Sequence, residues 1–100
     1  MKKNKPATKE TLIKRETKES EGNLFVYDLL IRENTKLSGF RLPLYSIRVG
    51  FTDTEGCYSE AEASEAFADP GKALLFYEKL VRNLATPIDI AYILEDELSH

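Results

Sequence analysis

A nucleophilic centre needs a base beside its thiol or hydroxyl, and the chain offers one cysteine and one histidine for the purpose. Cys57 has Glu55, Tyr58 and Glu60 as sequence neighbours, and none of them lowers a thiol pKa. His100 is the last residue and is expected to fray, so no Ser-His-Asp or Cys-His arrangement can be assembled around it. Zinc needs clustered Cys, His or carboxylate ligands, which one Cys and one terminal His do not supply. Glu60 and Glu62 share a strand face, and Asp53 and Glu55 flank a turn, but neither set has the spacing of a calcium loop. Asp69-Pro70-Gly71-Lys72 opens a helix, where anions are attracted. It lacks the Walker glycines and the Lys-Ser/Thr pair, and Asp69 reads instead as a helix cap. The expectation is no catalytic residue, no metal and no cofactor. An enzyme working through carboxylates with Tyr45 or Tyr58 is the weakest reading, since no convergent polar set is visible.

Charge is unevenly placed. Residues 1–18 carry seven Lys/Arg against two Glu, net +5, and the remainder is net −8. A basic arm with Lys14, Arg15 and Lys18 on an acidic body can touch nucleic acid, and this is the alternative reading of function. Residues 1–8 are expected to be a flexible basic tail. Two C-terminal helices superficially resemble a helix-turn-helix, but the second holds Asp89, Glu95, Asp96 and Glu97 with no Lys or Arg. A recognition helix must approach phosphates, so a nucleic-acid partner is not expected there. No apolar run approaches a membrane span, no signal peptide precedes the fold, and one cysteine fits a reducing compartment. The expected location is cytoplasmic.

The elements that would position any site are set by three glycines. Gly22, Gly39 and Gly56 recur every 17 residues, each closing a polar-rich tripeptide. A three-residue hairpin loop favours glycine at its third position, so four strands joined by three similar turns are expected. Centring each turn on its middle residue gives apolar rows such as Ile13-Leu29-Ile47-Ala63, Thr11-Ile31-Tyr45-Glu65 and Thr17-Phe25-Phe51-Ser59 on one face. The opposite face gives Lys14-Asp28-Arg48-Glu62, alternating in sign across all four strands. Expected strands are about 10–19, 23–35, 41–53 and 57–67. The last is rich in Ala and Glu, and a short helix from Ser59 to Ala68 competes with it.

The period then becomes helical. Asp69 caps a helix over about 70–84, with Ala73, Phe76, Tyr77, Leu80, Val81 and Leu84 on one side and Leu75 among the polar residues opposite. Thr86-Pro87 starts a second helix over about 87–98, whose apolar side holds Ile88, Ile90, Ala91, Leu94 and Leu98. The fold class is α+β, a single domain over 9–98: a four-stranded antiparallel meander with two C-terminal helices packed on one sheet face. The sheet aromatics Phe25, Tyr27, Tyr45 and Phe51 then share the helix-covered face, as core rather than as a base-stacking platform.

Tyr45-Ser46-Ile47, Asp69, Ala73, Leu80-Val81, Pro87 and Leu94-Glu95-Asp96 resemble a domain-of-unknown-function family of short proteins from clostridia-type Gram-positive bacteria. The resemblance covers about residues 40–98. It implies a bacterial origin and carries no assigned activity and no site. The leading expectation is a non-enzymatic protein-interaction or regulatory module, with an unknown protein partner or a homodimer. The candidate partner surface is the outer sheet face: Leu12, Leu24, Val26, Leu30 and Leu44, with Arg48 among them.

Overall fold

The computed structural model describes residues 8–34 and 43–98. Strands β1 (Thr8–Ser20), β2 (Asn23–Asn34), β3 (Leu44–Thr52) and β4 (Tyr58–Phe67) form one antiparallel sheet in the order β1-β2-β3-β4. Helices α1 (Pro70–Arg82) and α2 (Pro87–Leu98) follow. The fold is the α+β meander with two C-terminal helices, and residues 58–67 are strand rather than helix. The Gly39 turn and residues 1–7 of the tail expected over 1–8 lie outside the described residues, and Thr8 begins β1.

Strand pairing follows the apolar alternation through the centre of the sheet. Leu29 pairs with Ile47 and Ile47 with Ala63; Phe25 pairs with Phe51 and Phe51 with Ser59. Two corrections come at the margins. The first turn is a two-residue loop, Glu21-Gly22, with Ser20 paired to Asn23. Both loop residues have positive φ, 54° and 84°, as a primed hairpin turn requires. Pairing next to that turn is therefore one residue off the three-residue expectation, and a bulge at Ile13 restores it beyond. The charge row is consequently Arg15-Asp28-Arg48-Glu62, with Arg15 where Lys14 was expected. Lys14, Glu16 and Lys18, not Ile13, Arg15 and Thr17, stand opposite Leu29, Tyr27 and Phe25. In β4, Glu65 takes a left-handed φ of 49° and Tyr45 pairs with Phe67 instead of Glu65. The Ser46 hydroxyl accepts from the Glu65 N–H at 2.7 Å and satisfies the displaced backbone.

The third turn matches its expectation. Thr54-Glu55-Gly56 is a three-residue loop between Asp53 and Cys57, closed by Asp53 N–H to Cys57 C=O at 3.0 Å, with Gly56 at φ 87°. Asp53 Oδ1 accepts from the N–H groups of Glu55 and Cys57, both at 2.9 Å. Turns one and three lie side by side: a Cβ on Gly22 would stand 2.9 Å from Thr54 Cγ2, whereas one on Gly56 meets nothing within 4 Å. Gly22→Ala should therefore cost more stability in urea unfolding than Gly56→Ala. A left-handed residue with a Cβ costs about 1–2 kcal/mol, and only Gly22→Ala adds the clash.

The helices start where the sequence signals them. Asp69 accepts from the Lys72 N–H at 3.0 Å, with Pro70 opening α1. Thr86 precedes α2, and the Asp89 carboxylate reaches back to its N–H and hydroxyl, both at 3.0 Å. α1 packs on β2, β3 and β4, and α2 on β4 and β3. The core between the layers holds Tyr27, Leu29, Ile47, Val49, Phe76, Tyr77, Leu80 and Ile90, with Phe51 and Tyr45 packed at its margin. The sheet aromatics are core, as the alternation requires. α2 is turned from its expected orientation: Ile90, Ile93 and Leu94 face the sheet, while Ile88 and Ala91 point outward. The i, i+3, i+4 stripe beginning at Ile90 reaches the core, and Ile88 falls on the opposite side.

Candidate functional site

Among the described residues no helix covers the outer sheet face, which carries most of the ionised groups the strands align. Arg15 grips Asp28 in a two-bond fork, Nε to Oδ1 at 2.7 Å and Nη2 to Oδ2 at 2.9 Å. Asp28 is 3% exposed and also has Arg48 Nη1 at 3.9 Å. Arg48 donates through Nε to Glu62 at 3.3 Å and through Nη2 to Glu10 at 3.5 Å. Arg32 donates to Glu10 at 2.8 Å and to Ser64 at 3.1 Å, and its Nη1 lies 2.6 Å from Glu62. The Arg32 hydrogen bond holds the Glu10 carboxyl below its usual range despite an opposing desolvation, with the positive charges of Arg32 and Arg48 adding. The bond to Asp28 likewise raises the Arg15 guanidinium.

This lattice explains where the expected partner surface went. Glu10 stands in the row of Arg32, and Arg48 in the row of Asp28, so the Glu10–Arg48 contact crosses β2 above Leu30. Leu30 is accordingly 2% exposed, although it lies outside the core cluster. Leu12, its partner in β1, is 46% exposed; Leu24 is also exposed, and Val26 and Leu44 are half-buried. The six residues do share the outer face. They do not form a continuous apolar patch, because Leu30 is sealed and charge divides the remainder.

A shallow hollow of about 270 Å³ interrupts the lattice, lined by Arg15, Val26, Asp28, Arg48, Gly50, Tyr58 and Glu60. Gly50 creates it. The Tyr58 ring lies across β3 there, and a Cβ on Gly50 would sit 2.7 Å from its hydroxyl. That hydroxyl donates to Glu60 Oε1 at 2.7 Å, which together with partial burial raises the Tyr58 pKa. The hollow therefore pairs its charges internally: Asp28 holds Arg15, and Glu60 holds the tyrosine. Tyr58 and Glu60 are the hydroxyl and the carboxylate it brings together, with Arg15 and Arg48 in the same lining. Among the described residues, no three or more His, Cys, Asp or Glu side chains are grouped so as to hold a metal ion. Cys57 is exposed, with its N–H on Asp53.

Among the described residues the three most exposed large apolar side chains lie on the helices, ahead of Tyr58 on the outer sheet face at 61%. Ile88 is 74% exposed, and Tyr92 and Leu75 are each 69% exposed. Ile88 and Tyr92 are four apart on one side of α2. Leu75 is on α1, on the side away from its buried stripe, as the helical period requires. Sequence reasoning left Tyr92 outside the apolar arc and Leu75 among polar residues but counted Ile88 toward the core; the signal that separates Ile88 is the competing stripe Ile90, Ile93, Leu94. Comparisons with protein-family models, curated proteins and solved structures return no match.

Proposed function

We propose that this chain is a non-enzymatic protein-interaction module of the bacterial cytoplasm, regulatory in character, which engages a protein partner through the outward side of its helix layer. The observation that carries this reading is the exposure of Ile88, Tyr92 and Leu75 on the α1–α2 side. Large apolar side chains exposed to this extent on a small domain favour a protein contact. On the outer sheet face, by contrast, Arg15, Arg32 and Arg48 are each paired with a carboxylate of the same face. The bacterial setting rests on the family resemblance over residues 40–98. The cytoplasmic setting is supported by the single free cysteine and by the lack, among the described residues, of any helix long and apolar enough to cross a membrane.

Nucleic acid is the less favoured partner. Lys14 Nζ lies 3.3 Å from Glu16 and over the Tyr77 ring at 5.7 Å, and Arg15 is locked to Asp28. Two of the seven cations of residues 1–18 are thus paired within the domain.

Site-specific photocrosslinking in the native cell tests the module. A photoreactive residue at position 92 should give a discrete protein adduct, and the same probe at position 24 on the outer sheet face should not. Equal labelling from both positions, or no adduct from 92, would remove the proposal.

A further inference from the structure

We infer that the outward side of α2 pairs with the same side of a second copy of this chain, the two helices antiparallel about a two-fold axis. This rests on the interaction-module reading above and names its partner. Ile88 and Tyr92 are spaced by four and form an exposed apolar stripe on α2, and Leu84 is exposed in the turn before the helix.

A two-fold contact uses one patch twice, so the patch must complement itself. This one does. Beyond Tyr92, toward the C-terminal end, Glu95 is exposed and acidic. At the opposite end, Arg82 closes α1 and is exposed and basic. Seating Ile88 of each copy on Tyr92 of the other sets Glu95 opposite Ala85 of the second copy. It then lies beside the turn that carries Arg82 and beside the N-terminus of the second α2.

That placement answers an oddity of α2. Its last turn holds no basic residue, and Glu95 lies toward the end where the helix macrodipole disfavours an acid. Against the N-terminus of a second helix the same acid is favoured. Leu84 takes its left-handed φ of 51° as the residue that ends α1, where its N–H donates to the Val81 C=O at 3.2 Å and the Ala85 N–H to the Leu80 C=O at 3.0 Å, and its side chain is left exposed. In the pair it lies at the margin of the apolar stripe. One 12-residue helix per copy makes a small contact, so the association belongs to the weak class of interfaces.

Sedimentation equilibrium from about 10 to about 500 µM, the range in which a weak pair forms, is the test. The expected result is a mass rising from 11.4 kDa toward twice that value. Ile88→Asp should hold the chain at the monomer mass while its circular dichroism is unchanged. Glu95→Arg should weaken the pair roughly tenfold, and Arg82→Glu added to it should restore most of the loss, as an exchanged charge pair does. A monomer at the highest concentration overturns the inference. So does a dimer indifferent to Ile88→Asp, or a double variant no better than Glu95→Arg alone. If the chain is monomeric while the probe at position 92 captures a protein of another mass, self-pairing fails and the module reading stands. If it is monomeric and position 92 captures nothing, both fail.

Discussion

Raising the pH from 10 to 12 should unfold the domain progressively, and two phenylalanine substitutions should flatten the loss. Tyr27 and Tyr77 are fully buried and linked in series: the Tyr77 hydroxyl donates to the Tyr27 carbonyl at 2.9 Å, and the Tyr27 hydroxyl to the Ala85 carbonyl at 2.8 Å. Burial pushes the Tyr27 phenol from 10.0 up to about 12, with the negative charge of Asp89 adding. Burial raises Tyr77 as well, helped by the charges of Glu16 and Asp28. The unfolded chain releases these protons near pH 10, while the folded chain keeps them. Their contribution is therefore whole below pH 10 and is lost as pH climbs toward the folded values. Each tyrosine makes the decline steeper by about 1.4 kcal/mol per pH unit. Tyr27→Phe should cost about 1–3 kcal/mol at pH 8, because the Ala85 carbonyl loses its donor. It should also make the decline shallower, and adding Tyr77→Phe should remove most of it. Urea midpoints at pH 8, 10, 11 and 12 read both effects; parallel slopes in wild type and variants would refute the linkage.

Leu80→Ala should be among the most damaging single truncations, and Leu75→Ala, five residues earlier on the same helix, should be nearly silent. Leu80 is fully buried in the core cluster between α1 and the sheet. Truncating such a leucine costs about 2–5 kcal/mol, through lost transfer energy and an unfilled cavity. In a domain of this size that lowers the melting temperature by about 10 °C or more. Leu75 is exposed, and exposed substitutions fall within about 0.5 kcal/mol. Thermal melts of the two variants give the orientation of α1 directly. Comparable losses would mean that α1 presents a different side to the sheet.

Alternation carries the sheet's central pairing because a one-residue slip would expose Leu29, Ile47 and Phe25 together. It carries less at β1, where the strand lies outside the helix cover and has few apolar residues to fix its phase. Glu21-Gly22 and Ser20-Glu21-Gly22 contain the same residues, and nothing local separates a two-residue turn from a three-residue one. The bulges at Ile13 and Glu65 have no glycine to announce them. α2 misleads for another reason. It has more apolar residues than one face can bury, so periodicity alone leaves two stripes, and packing on β4 chooses the one beginning at Ile90. The outer face was legible as a set of residues but not as a surface. The sealing of Leu30 depends on a diagonal contact between Glu10 and Arg48, two strands apart.

The bulge at Ile13 divides β1 into two reading frames. Lys14 through Ser20 are in phase with the turn, and Thr8 through Leu12 are in phase with the far end of β2. Without Ile13, Leu12 and Lys14 would be consecutive and already opposite the consecutive residues Leu30 and Leu29. The hairpin is thus a regular ladder with one residue spliced in. A sister sequence lacking that residue would need a single gap at position 13 to keep both halves of the strand in step.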